Sequence, residues 1–198
     1  GVLIPGDGSA DPSGVTHMFA KGAKKGGAQI YEQSPVETIL TKNGRVHGVR
    51  VNGQNIECEY VVLASGMWSR QIAEKVGVSI PLYPAEHFYI ITEPIENLSK
   101  TLPVIRDFDN RTYIKEDAGK ILVGIFESKS IPAWNKFNKV PEDFSFGEFQ
   151  ENFEHFEPYL TTAIKRFPVL ETAGIRKFFS GPESFTPDQI HCLEKCRK

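Results

Sequence analysis

Cysteine is scarce in this 198-residue chain. Cys58, Cys192 and Cys196 are too few for a disulfide framework and odd in number, which points to a reducing compartment. Charge of one sign is scarce too: 23 Lys and Arg against 25 Asp and Glu leave a formal net charge of −2, arguing against nucleic acid or an anionic membrane as the main partner. No apolar run approaches the roughly 18 residues of a membrane span, and no targeting segment opens the chain. His191, Cys192 and Cys196 cluster near the end without a second pair of matching spacing, so no metal site is expected. A Gly-x-Gly-x-x-Gly turn is also missing, because Gly6 and Gly8 precede an Asp-Pro capped helix and do not follow a strand in the required way.

What is present is globular. Hydrophobic residues make up 40% of the sequence and charged ones 24%, a balance that suits a small-molecule protein. A compact chain of this length can bury about 70% of the surface its unfolded form exposes. One large domain or two small ones would fit.

The pattern changes along the chain. A helix is expected from Asp11 or Pro12 to about Lys25, with Asp11 capping, Pro12 in the first turn, Val15, Met18, Phe19 and Ala23 at helical spacing, and Gly26-Gly27 ending it. "AQIYE", 28–32, reads as a short strand. From Val36 to Val62 the period is that of sheet, and Asn43-Gly44 and Asn52-Gly53 mark two tight hairpins, predicting a three-stranded antiparallel meander. Its last strand is expected to run on through "YVVLASG", 60–66, apolar on both faces and so buried in a larger sheet. Ala64, Ser65 and Gly66 then lead into a helix at about 68–76, whose free amides could face an anion or whose start could be an ordinary tight turn.

After Gly77, strands are expected at 86–92, 111–116 and 120–126, the last two joined by Asp117-Ala118-Gly119. A helix over 145–166 would carry Phe146, Phe149, Phe153, Phe156 and Leu160 along one stripe, read as core. A strand near "AGIRKFFSG" follows, then "GPESFTPD", then a tail at 189–198. His17 and His155 read as surface or packing residues and His47 as solvent-facing. Glu86 could pair with His87 or flank it. Arg106, Asp107 and Asp109 look like a solvated turn, although Arg106 could reach a substrate carboxylate.

Four blocks, "PGDGSADPSGVTHMFAKGAKKGGAQI", "VVLASGMWSRQI", "EHFYIITEPI" and "GPESFTPD", together resemble the middle of the FAD-dependent dimethylglycine and sarcosine dehydrogenases, over about residues 1–188. The resemblance implies an α/β (α+β) architecture. Residues 1–80 would be part of a glutathione-reductase-like FAD-binding domain, 81–172 an antiparallel-sheet substrate domain, and 173–188 a return strand towards the FAD domain. It implies oxidative N-demethylation of a small methylated amine such as sarcosine or dimethylglycine, by hydride transfer from an N-methyl carbon to flavin. Electron-transfer flavoprotein or oxygen would be the acceptor, tetrahydrofolate would belong to a C-terminal region of a full-length parent, and the location would be the mitochondrial matrix in a eukaryote or otherwise the cytoplasm.

Residue by residue, the resemblance places Val36 where the backbone meets the FAD adenine, and Ala64, Ser65 and Gly66 in the turn that approaches the dinucleotide, followed by Trp68. Leu63 stands where asparagine is usual in that family, and Ser65 where alanine is usual. His87 matches the histidine of a His-aromatic-Tyr motif near the amine and the flavin, and Tyr113 a tyrosine of the same pocket. A histidine that titrates near neutrality suits removal of the amine proton. The chain starts without methionine and has no pyrophosphate turn, so it is expected to be a central fragment with an incomplete FAD site, inactive alone. A non-catalytic relative, like the regulatory subunit of pyruvate dehydrogenase phosphatase, is the alternative.

Overall fold

A computed structural model describes residues 1–134, 139–188 and 190, which form two units, Gly1–Val61 and a second beginning at Val62. The expectations for His191, Cys192, Cys196 and most of the tail lie outside the described residues.

In the first unit, α1 spans Pro12–Lys25. The Asp11 carboxylate accepts from the Ser13 amide at 3.3 Å and the Gly14 amide at 2.8 Å, satisfying two of the donors that a helix start leaves free. Lys24 and Lys25 lie in the last turn, where cations complement the helix dipole. Three antiparallel strands follow in the order β1 (Val36–Lys42), β2 (Arg45–Val51) and β3 (Gln54–Glu57). Both connections put Asn and Gly at positive φ, 50° and 72° at Asn43-Gly44 and 49° and 73° at Asn52-Gly53, as two-residue hairpins of matching twist require.

Two expectations fail here. Residues 28–32 form no strand: they pair with none of the described strands, and Glu32 already enters a turn in which Gln33 takes a φ of 51°. Residues 60–65 are likewise not a strand, with Val62 89% exposed. A two-sided apolar strand needs neighbours on both edges and cover on both faces, and the described residues supply neither.

In the second unit, a 3-10 turn at Gly66–Trp68 passes into α2, Ser69–Glu74. Gln71 of α2 makes a two-way amide clasp with the Val140 backbone, at 3.0 and 2.7 Å. The core element is a five-stranded antiparallel sheet of β4 (Tyr83–Thr92), β5 (Ile105–Asp107), β6 (Thr112–Asp117), β7 (Lys120–Ile125) and β8 (Ile175–Phe185), in the order β5-β6-β7-β4-β8. Helix α3, Phe153–Arg166, covers one face. Strand alternation sends Phe88, Ile90, Ile114, Val123, Ile125 and Phe178 to that face, where they pack with Phe156 and Ala163 of α3.

Of the residues expected in a solvated turn, Arg106 and Asp107 belong instead to the short strand β5, whose three residues are too few to show a period. Asp107 closes its end by accepting from the Asn110 amide and side chain at 3.2 and 2.7 Å. The helix expected from 145 begins only at Phe153, where the Asn152 side chain accepts from the His155 amide at 3.1 Å. The residues before it are drawn off instead: the Phe149 amide donates to the Ser180 carbonyl, and the Phe144 and Phe149 rings meet Trp134 edge-on. Phe146, with φ at 51°, points into solvent. Strand β8 runs beyond "AGIRKFFSG" to Phe185. Its Pro182, opposite Glu86, is tolerated because β8 is an edge strand, where one missing N–H breaks no ladder on the outer side. No described helix is long and apolar enough to cross a membrane.

Candidate functional site

The face of the sheet turned away from α3 gathers the polar chemistry. Register sets it: Arg106 of β5 lies opposite Tyr113 of β6, Tyr113 opposite Gly124 of β7, Gly124 opposite Tyr89 of β4, and His87 opposite Gly181 of β8. The two glycines are required by the rings beside them. A Cβ on Gly124 would fall inside the Tyr113 ring, and one on Gly181 would lie 2.6 Å from Cζ of Phe179. Glycine at these points lets aromatic rings lie across the strands rather than stand up from them.

His87 and Tyr113 are brought together. Nε2 of His87 is 3.1 Å from the Tyr113 hydroxyl, and the two rings are nearly parallel, 4° apart. Phe126 tilts against both, with centroids at 5.1 and 5.5 Å. Nδ1 of His87 is 3.4 Å from Oε2 of Glu183, within ion-pair range but without a well-aligned hydrogen bond. A carboxylate can only accept, so the proton of a neutral imidazole is best placed on Nδ1, and the Tyr113 hydroxyl then donates to Nε2.

Burial pushes the His87 imidazole below its ordinary value; Glu183 pulls it back up, and Arg106 adds to the lowering. Burial also pushes the Tyr113 phenol well above its usual range, helped by Glu183 and Tyr89 and opposed by Arg106. At neutral pH the pair is therefore a neutral imidazole beside a protonated phenol. That combination can take a proton without first losing one.

Beside this pair opens a cavity of about 730 Å³ whose walls include Leu63, Ala64, Gly66, Arg106, Phe126 and Glu183. His87 and Tyr113 do not themselves form its wall, but Phe126 and Glu183, which touch them, do. Ala64 and Gly66 thus face the cavity; Ser65 bonds Ser69 through their hydroxyls at 3.2 Å, Trp68 ends the turn, and Val36 lies in the first unit, at the start of β1.

The walls fit part of an FAD. Gly66 holds a φ of 53° with nothing within 4 Å of where a Cβ would be, so the small turn leaves open space in front of it. Ser184, another wall residue, has a buried hydroxyl without a partner among the described residues. A planar group with polar edges would use both.

Sequence reasoning missed a second titratable cluster, on the α3 side. Oε1 of Glu127 and Nε2 of His155 are 3.7 Å apart, both atoms buried and neither with a hydrogen-bond partner among the described residues, and Glu86 lies near them. Glu86 therefore does not pair with its sequence neighbour His87, because alternation puts the two on opposite faces. Burial raises the Glu127 and Glu86 carboxyls above their ordinary value of 4.5. A raised carboxyl means that the folded chain binds the proton more tightly than the unfolded one, so stability falls as pH rises above 4.5 through the folded value. Glu127→Gln is expected to melt higher than the parent at pH 8 and to lose that advantage at pH 4, as read by calorimetry.

No group of His, Cys, Asp and Glu among the described residues could hold a metal ion.

The fold is that of FAD-dependent oxidoreductases. It matches L-proline dehydrogenase from P. horikoshii with a TM-score of 0.78 and 26% identity, over 98% of this chain and 49% of that one. Residues 1–196 match the family described as DAO, FAD dependent oxidoreductase, and the chain belongs to it. It is 39% identical to 4-methylaminobutanoate oxidase (formaldehyde-forming) of Paenarthrobacter nicotinovorans, over 94% of this chain and 22% of that protein. It is 36% identical to human mitochondrial sarcosine dehydrogenase, over 94% of this chain and 20% of that protein. It is also 36% identical to the mouse mitochondrial pyruvate dehydrogenase phosphatase regulatory subunit, over 97% of this chain and 22% of that protein. The chain is related to the dimethylglycine dehydrogenases as well, and it spans about a fifth of the length of the curated relatives it matches.

Proposed function

We propose that this chain forms the amine-binding part of an FAD-dependent oxidoreductase that demethylates a small N-methylated amino acid such as sarcosine or dimethylglycine. The observation that carries the reading is the His87–Tyr113 pair, at 3.1 Å, on the sheet face beside the cavity. When bound, FAD supplies the acceptor for the electron pair removed from the N-methyl carbon, and an electron-transfer flavoprotein or oxygen would take those electrons onward. Ala64, Ser65 and Gly66, with Trp68, are the residues of the second unit that would hold it.

The remaining work falls to side chains. An ammonium must lose its proton before its methyl carbon can be oxidised. The Tyr113 hydroxyl can accept that proton as it passes its own to Nε2 of His87, and burial keeps the imidazole free to receive it. The Arg106 guanidinium lies 4.1 Å over the Phe126 ring, on the cavity wall, with no carboxylate partner among the described residues. A planar cation held flat on a ring and lacking an anion suits a substrate carboxylate.

The test is anaerobic. Sarcosine, dimethylglycine or 4-methylaminobutanoate, mixed with the FAD-loaded oxidoreductase of which this chain forms the amine-binding part, is expected to bleach the flavin absorbance and release formaldehyde. Arg106→Lys, which keeps the charge but loses the fork, is expected to raise KM about 10- to 100-fold with a smaller change in kcat, in line with the ~1.5–3 kcal/mol of a charged hydrogen bond. Absence of bleaching with all three amines overturns the reading. Its likeness to the phosphatase regulatory subunit supports a second reading, a binding role without turnover, and that result would favour it.

A further inference from the structure

We propose that Glu183 is a substrate-contacting residue whose carboxylate receives the amine nitrogen, so that the cavity reads a zwitterion by its two ends, nitrogen at Glu183 and carboxylate at Arg106. The proposal rests on the reading that this face takes an amine, and it names what that reading leaves unassigned, the counter-charge to the nitrogen.

Three observations carry it. First, Glu183 is a carboxylate that joins the cavity to the His–Tyr pair: it lines the cavity and places Oε2 3.4 Å from Nδ1 of His87. Second, its charge is not used elsewhere. Among the described residues its ion-pair contact is with His87, which burial holds towards the neutral form, and the side chain is 45% exposed. The other acids of the wall are committed: Asp107 accepts twice from Asn110 and faces Arg166 at 3.7 Å, while Glu127 is buried beside His155. Third, the register fixes its aim. Glu183 sits two residues along β8 from Gly181, which opposes His87, and strand alternation therefore puts it on the same face.

The chemistry gives such a carboxylate two uses. It attracts the ammonium ion that arrives, and it faces the nitrogen again when oxidation of the methyl carbon returns positive charge to that atom. A fixed anion aimed at a developing cation acts on the transition state as well as on binding.

Glu183→Gln keeps the shape and removes the charge. Two inert ligands read binding without turnover: N,N,N-trimethylglycine, which carries a fixed cation and no N–H, and methoxyacetate, in which a neutral oxygen replaces the nitrogen. By calorimetry, the variant is expected to bind trimethylglycine at least 10-fold more weakly and methoxyacetate with unchanged affinity, and Glu183→Asp is expected to recover part of the trimethylglycine affinity. The kcat/KM for the reactive amine should fall about 10²- to 10³-fold, as for removal of one transition-state partner. The His87 imidazole should titrate lower by NMR in the Gln variant, because Glu183 is the group that holds it up against burial and against Arg106, while Tyr113 and Phe126, its other neighbours, are unchanged.

Equal weakening of both ligands, or of neither, overturns the proposal. If trimethylglycine binding responds as expected while no amine bleaches the flavin, the assignment of Glu183 stands and the oxidoreductase reading falls. If amines are oxidised and Glu183→Gln leaves both binding and kcat/KM alone, the reverse holds.

Discussion

Replacing His87 by alanine is expected to lower kcat/KM for an N-methylated amino acid by about 10²- to 10⁴-fold, the range that a positioned proton acceptor supplies. The size follows from the surroundings of the ring. Its Nε2 faces the Tyr113 hydroxyl, and burial leaves the imidazole neutral at neutral pH, so the parent has an acceptor ready before substrate arrives.

The pH dependence has a definite sign. Because the folded imidazole lies below its ordinary 6.5, the acid limb of kcat/KM should fall at a lower pH than an ordinary histidine would give, and in His87→Ala that limb should vanish. Stability carries the same sign: between the folded value and 6.5 the unfolded chain binds more protons, so the contribution is fully present above 6.5 and is lost as pH falls. An unchanged limb in the alanine variant, measured in the FAD-loaded protein, would remove His87 from the reaction.

The second large effect is on stability. Phe156 of α3 is fully buried, its ring edge-on to that of Phe178 of β8 with centroids 5.3 Å apart. Phe156→Ala is expected to cost about 3–5 kcal/mol, because it removes both the transfer energy of the ring and the contacts around the space it leaves. For a chain of this size that corresponds to a fall of roughly 6–20 °C in Tm. Phe146→Ala is the control. Phe146 lies on the same expected stripe but is fully solvent-exposed, so its replacement should change stability by no more than about 0.5 kcal/mol. Similar losses from the two substitutions would mean that a helix does extend back to 145, as the spacing of the phenylalanines suggested.

That pair of phenylalanines shows where sequence and structure part. An aromatic at every third or fourth position is compatible with a helix from 145, but a helix start is decided by which groups satisfy its free amides. Asn152 does so, while the preceding residues are held by Trp134 and by the backbone of β8. The opposite case is the meander. Asn-Gly at both turns sets its hairpins locally, because few residues other than these adopt positive φ cheaply; its first two strands lie where the sequence places them, and the third stops at Glu57 instead of running on to 66. Strand β8 extends past "AGIRKFFSG" because the sheet order makes it an edge, where Pro182 breaks no ladder on the outer side.

The site divides in the same way. His87 and Tyr113 were named from the sequence, and so was the small turn at Ala64–Gly66, two of whose residues line the cavity. Arg106 was weighed only as a solvated residue that could fold over a pocket. Glu183 went unremarked, as did the Glu127–His155 pair, since these are partners made by register between strands far apart in the chain.

By itself, then, the sequence determined what is local: the capped α1, the Asn-Gly hairpins, the alternating strands with their buried stripe, and a flavoprotein family carried by four short blocks. Only the tertiary structure decided which charges meet. Strand pairing places residues 87, 106, 113 and 183 on one face, and a shift of one residue in any register would send a side chain to the other. Burial on that face then sets the protonation of His87 and Tyr113, a property of the assembled surroundings that no single segment contains.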